Sequence, residues 1–174
     1  MALTYQAIAT VTVGSGGAAN IEFTSIPGTY TDLKVVVSAR NVASNVAGGV
    51  WLYPNGSSAN MTGRILAGTG SAAVSGTDTK VYGYTNSANS TASTFGNIEF
   101  YIPNYTSSNN KSIFVDSVME NNGTEGRQGL MAGLWSSSSA ITSITLESFN
   151  NSTSAVSNFA QYSTATLYGI KNTV

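Results

Sequence analysis

The chain has 174 residues, of which 41% are hydrophobic and only 9% charged, with seven Lys+Arg against eight Asp+Glu and a net charge of −1. Its polarity comes instead from 25 Ser, 21 Thr, 17 Asn and 18 Gly, together 81 of the 174 residues, and neither sign of charge forms a run able to neutralise nucleic-acid phosphates. Cys and His are absent, which excludes disulfides, thiolate nucleophiles, imidazole bases and the usual zinc ligands.

The length predicts one domain spanning residues 1–174. Aromatic residues at 10%, with many Val and Ile, supply a core and argue against disorder. No run of about 18 apolar residues is present, and Met1-Ala2-Leu3-Thr4-Tyr5 lacks the charged and apolar regions of a signal peptide. The expectation is a chain that folds where it is made, with neither nucleic acid nor membrane as a partner.

Period-2 alternation recurs along the chain and helical periodicity does not. In chain order it predicts strands over residues 5–13, 19–25, 33–40, 50–53, 80–84, 98–102, 113–118, 129–135, 140–147 and 159–170. In the third, Leu33, Val35, Val37 and Ala39 share one face and Lys34, Val36, Ser38 and Arg40 the other. In the seventh, Ile113, Val115 and Ser117 alternate with Phe114, Asp116 and Val118. Turn chemistry separates the strands: Gly14-Ser15-Gly16-Gly17, Pro27-Gly28, Pro54-Asn55-Gly56 and Asn121-Asn122-Gly123. Residues 67–79 and 86–93, rich in Gly, Ser, Ala and Asn, are expected as surface loops. Ten strands with no helix-forming window predict an all-β protein, an antiparallel β-sandwich with jelly-roll-like character.

Candidate chemistry is thin. A Ser-Lys nucleophile is formally open, but Lys34, Lys80, Lys111 and Lys171 are scattered and none lies in a nucleophile motif. A carboxylate pair for glycoside hydrolysis would need folding to assemble Glu22, Glu99 and Glu147, since Asp116 and Glu120 on one strand face stand about 13 Å apart. Asp116, Glu120, Asn121, Asn122 and Glu125 offer calcium-compatible oxygens without EF-hand spacing. The Gly14 run lacks the Lys-Ser/Thr and helix of a phosphate cradle. The expectation is no enzyme, no cofactor and no metal. Trp51, Tyr53, Tyr101, Tyr105 and Trp135 are the candidate contacts for a sugar ring or a protein partner, with core packing as the alternative role.

Two segments resemble virion proteins of tailed bacteriophages, particularly marine and cyanobacterial phages. The first is Phe23-Thr24-Ser25-Ile26-Pro27-Gly28-Thr29-Tyr30-Thr31-Asp32-Leu33 with the Val-rich run ending in Ser38-Ala39-Arg40. The second is Ser163-Thr164-Ala165-Thr166-Leu167-Tyr168-Gly169-Ile170-Lys171. The resemblance implies a virion component with a jelly-roll-like fold, on the capsid or in a tail or fibre, and carries no catalytic residues. No heptad, collagen-like repeat or N-terminal helix is present for a fibre stem. This favours a capsid decoration or cement protein on the virion surface, made in the host cytoplasm. Its expected partners are the major capsid protein or other virion proteins, and its expected assembly is a homotrimer. The low charge suits such crowding, because closely apposed copies desolvate few ions. The alternative function is a tail-fibre or receptor-binding module that recognises host surface glycans on its aromatic residues.

Overall fold

Apolar residues at every second position, between turns that reverse the chain, leave pairing into sheets as the way to satisfy the backbone and bury one face of each strand. A computed structural model describes residues 4–123 and 125–171; Ala2 and Leu3 of the opening segment lie outside them. Twelve strands follow in chain order: β1 (Tyr5–Thr12), β2 (Asn20–Phe23), β3 (Asp32–Ala39), β4 (Ala47–Pro54), β5 (Met61–Gly68), β6 (Ala73–Asp78), β7 (Tyr82–Asn86), β8 (Gly96–Ile102), β9 (Lys111–Met119), β10 (Arg127–Trp135), β11 (Ile144–Asn150) and β12 (Thr164–Ile170). No helix occurs among the described residues. Every strand pair is antiparallel.

The strands form an eight-stranded sheet, ordered β1-β12-β3-β8-β9-β10-β5-β6, and a four-stranded sheet, ordered β2-β11-β4-β7. The protein is therefore all-β, two sheets in a sandwich, as the alternation predicts. The eight-plus-four division does not establish the jelly-roll connectivity. Leu33, Val35, Val37, Ile98, Phe100, Ile113, Val115 and Met131 of the large sheet and Val50, Leu52, Ile144 and Leu146 of the small one are buried in a shared core.

Glycines set how closely the sheets approach. The segment carrying β7 crosses the inner face of the large sheet at positions where a side chain would not fit. A Cβ on Gly63 would lie 2.8 Å from the Lys80 carbonyl oxygen, one on Gly133 2.5 Å from Val81, and one on Gly96 2.6 Å from the Thr85 Cα. The approach is mutual, since a Cβ on Gly83 would lie 2.4 Å from Ile98.

Three expectations are corrected: the strand expected over residues 159–170 begins only at Thr164, with Phe159 held by isolated bridges to Ala18 and Asn41, and two others follow. The stretch 67–79, expected as a surface loop, holds the end of β5 and all of β6, a hairpin closed by the Thr69 N–H donating to Ala72 O at 2.9 Å. As the edge of the large sheet, β6 is exposed over most of its length, so its order comes from backbone pairing with β5 and leaves no alternating signature. In β5, Met61, Gly63, Ile65 and Ala67 face inward, but the small residues dilute the pattern. The strand expected over 140–147 runs instead from Ile144 to Asn150. The N–H groups of Thr142 and Ser143 donate to Asn55 Oδ1 at 2.9 and 3.2 Å, so this stretch is tied to the turn after β4 by a side chain.

Two cations, the buried Lys111 and the half-buried Arg40, hold loops through carbonyl oxygens. Lys111 is 1% exposed, and its ammonium donates to the carbonyls of Ser107, Ser137 and Ser139 at 2.7, 3.2 and 2.6 Å; burial pushes its pKa down. The Arg40 guanidinium donates to the carbonyls of Ala88, Ser90, Thr91 and Thr94 at 2.9 to 3.1 Å. The loop after Asn86 is a surface loop as expected, with Ala88, Asn89 and residues 91–93 exposed, and it is wrapped around a guanidinium, with Ser87 and Ser90 buried.

Gly96→Ala should lower stability by about 1–3 kcal/mol through overpacking against the Thr85 backbone. Gly68→Ala, with open space at its Cβ, should leave the urea unfolding midpoint unchanged or slightly raised. Lys111→Met should cost about 1–3 kcal/mol, because it strands three carbonyls without their donor; the same urea titration measures it.

Candidate functional site: the apolar half of the outer sheet face

The pleat sends alternate residues of the large sheet away from the core. Across β12, β3 and β8 the outward residues are Thr164, Thr166 and Tyr168, then Lys34, Val36 and Ser38, then Asn97, Glu99 and Tyr101. This half is polar, and Lys34 Nζ pairs with Glu99 Oε2 at 2.7 Å. Across β9, β10 and β5 the outward set includes Phe114 and Val118, Leu130 and Leu134, and Leu66, each 38% to 56% exposed. An antiparallel sheet whose outer face meets water ordinarily reads polar there. A contiguous apolar surface of this kind marks an interaction site.

Register fixes the layout. Leu66, Leu130 and Asp116 form one row, and Arg64, Ala132 and Phe114 the next. Ala132, the smallest outward side chain of β10, floors a hollow of about 480 Å³ whose lining includes Arg64, Leu66, Phe114 and Leu130. Arg64 makes one hydrogen bond, to its neighbour's carbonyl oxygen on Gly63 at 2.9 Å, and belongs to neither of the ion pairs found among the described residues, Lys34–Glu99 and Arg127–Glu125. Asp116 stands directly across the β8–β9 ladder from Glu99. The two carboxylates line a second hollow of about 150 Å³ with Val36, Asn97 and Val118.

The aromatic residues singled out in the sequence occupy other places. Trp51 and Tyr53 lie on β4 facing away from Val50 and Leu52, their rings 6.3 Å apart. Trp51 is 3% exposed: Phe149 stacks on it at 4.1 Å, and Lys80 Nζ stands 3.5 Å from its ring centre. Tyr53 donates to Glu147 Oε2 at 3.3 Å, and burial followed by the Glu147 charge pushes its pKa up. Tyr105 is fully buried and donates to Pro27 O. Trp135 is buried at the inward end of β10 beside Lys111. Tyr101 is half-buried on the outer face of β8 and donates to Asp32 Oδ2 at 2.7 Å. Only Trp51 and Tyr53 are brought together. The exposed apolar residues had a sequence signal: 113–118 and 130–134 carry large apolar side chains on both strand faces, a pattern that requires a cover for each.

The candidate carboxylates are also dispersed. Glu22 and Glu147 lie on paired strands two register positions apart, whereas Glu99 belongs to the other sheet. Glu120 accepts from the N–H groups of Asn121 and Asn122 at 3.0 and 2.8 Å, and Glu125 pairs with Arg127 at 2.7 Å. No cluster of three or more Asp and Glu suited to a metal ion occurs among the described residues. What the exposed face offers chemically is apolar area with one cation and one anion, a means of holding a surface.

No family model, curated protein or solved structure matches the chain.

Tyr101 gives a pH test of the polar half. Its hydrogen bond to Asp32, then burial, push its pKa up from 10.0 to about 12. Since the folded value lies above the unfolded one, the stabilisation is complete below pH 10 and is lost as pH rises toward 12. Tyr101→Phe should be less stable than the wild type near neutrality, and the difference should shrink across that alkaline window. Urea unfolding over a pH series checks it; a constant difference would show that the bond does not couple to the titration.

Proposed function

We propose that this chain is a virion structural protein of a tailed bacteriophage, a decoration or cement protein that sits on the capsid and works by docking. The observation that carries this reading is the division of one sheet face into a polar half and an apolar half. The sandwich already has a complete core, so the exposed Leu66, Phe114, Leu130 and Leu134 serve a contact outside the domain. The two phage-like segments support the virion assignment, because they lie where the fold is built: Asp32 and Leu33 open β3, and residues 164–170 form β12, its partner in the large sheet. The dispersal of carboxylates and lysines fits a part that holds and does not react.

A second reading, a host-glycan receptor module, is favoured by a pocket of about 270 Å³ lined by Trp51, Asp78, Lys80, Tyr82, Phe149 and Asn151 among others, aromatic and polar groups of the kind that hold a sugar. A ring stacking on Trp51 would displace Lys80. Glycan binding that strengthens in Lys80→Ala would support this reading, and no binding to host glycans by either form would remove it.

A density map of the intact particle tests the leading proposal. Density for this fold is expected at repeated positions on the shell. Density confined to the tail would overturn the decoration assignment.

A further inference from the structure

We infer that the apolar half-face is self-complementary and is covered by the same face of a second copy, related by a two-fold axis. The inference rests on the reading of this face as a docking surface and not on the virion assignment. Arg64 is opposite Ala132, and Asp116 is opposite Leu130. The two charges therefore stand diagonally across β10, on either side of the Leu130–Ala132 centre. A two-fold axis lying in the contact plane through that centre, perpendicular to the line joining the two charges, exchanges the two positions. It sets Arg64 of each copy against Asp116 of the other, giving two equivalent ion pairs, the isologous pattern of a two-fold interface.

Three further features fit this occupant. The hollow beside Asp116 is bounded by Glu99 as well; Glu99 has Lys34 as its counter-ion, so an incoming guanidinium supplies the one for Asp116 and engages the planar donors of Arg64. The hollow floored by Ala132 receives the projecting side chains that surround the same position in the other copy. The face carries one charge of each sign, so its apolar centre can be covered without isolating an ion.

Size sets the strength. Three strands spaced ~4.8 Å apart, each presenting about four outward residues at ~6.8 Å steps, give a face of roughly 400 Å² per copy. That is about half of what a stable interface contributes per partner. Free copies should therefore pair weakly and reversibly, and the contact gains force where other interactions already hold neighbours side by side.

Sedimentation velocity across micromolar to millimolar concentrations is the test. A monomer–dimer equilibrium is expected. Leu130→Lys should remove the dimer, while Arg64→Glu and Asp116→Arg should each weaken it about tenfold or more. The double variant Arg64→Glu/Asp116→Arg, which restores opposite charges only if copy meets copy, should recover most of the loss. Unchanged urea midpoints establish that each variant folds. Wild-type protein that stays monomeric throughout, a trimer or other assembly indifferent to these substitutions, or a double variant as weak as the singles would each overturn the inference. The particle map bears on the virion assignment alone, so the two can fail separately.

Discussion

The close passage of residues 80–85 over the glycines of the large sheet is the constraint on which the rest of the structure depends. Packed sheets ordinarily stand about 10 Å apart, with side chains filling the gap. Here Gly63, Gly133 and Gly96 remove those side chains along one track, and the Lys80 carbonyl, the Val81 side chain and the Thr85 backbone occupy the space. This brings Val81 and Tyr84 into the core and pins the edge of the four-stranded sheet. It also places β4 and β11, which follow β7 in the sheet order. The cost is a loss of conformational entropy at each glycine, which close packing offsets. A second consequence concerns the opposite face. The small sheet covers only the inner side of β9, β10 and β5, so the outward Phe114, Leu130 and Leu66 stay exposed among the described residues.

In a chain with so few charges, individual cations organise large pieces of structure. Lys111 and Arg40 each meet several backbone carbonyls and no carboxylate. A carbonyl cage stabilises a cation withdrawn from water, Lys111 wholly and Arg40 in part, through oriented dipoles, and it needs no second ion to be buried with it. The same groups serve the loops, since carbonyls that turn away from a ladder must be satisfied elsewhere. Loops rich in Ser, Asn and Thr thus become ordered around a point charge, a role that composition alone does not suggest for segments of this kind.

The sandwich was legible because alternation in β3, β8, β9 and β12 records burial on one face directly. Leu33, Val35 and Val37 needed no further context to be placed in the core. What escaped was order carried by backbone pairing, as in β6, and order carried by a single side chain, as where Asn55 captures residues 142–143 and delays β11. The site was harder for a different reason. Aromatic residues draw attention as contacts because of their area, yet the same area makes them good core, and Trp51 and Tyr105 are used that way. The apolar outward residues of β9 and β10 were present in the sequence as strands apolar on both faces, but whether a second sheet covers both sides is a long-range fact no local pattern contains.

Placing the remaining charges sharpens what the exposed face is for. Lys34 pairs with Glu99, Arg127 with Glu125, and Lys80 lies over Trp51; Asp32, Asp78 and Glu147 accept hydrogen bonds from Tyr101, the Lys80 N–H and Tyr53. Glu22 lies exposed on β2, an edge strand open to water, where a lone carboxylate costs little and discourages strand addition. Asp116 and Arg64 have no such local account. Each stands on an apolar surface, without an ion partner among the described residues, and out of line with the other across β10. If the face only met solvent, polar uncharged residues like those of the rest of the chain would serve it better. Two opposite charges set diagonally about an apolar centre acquire a purpose when the face meets its own image.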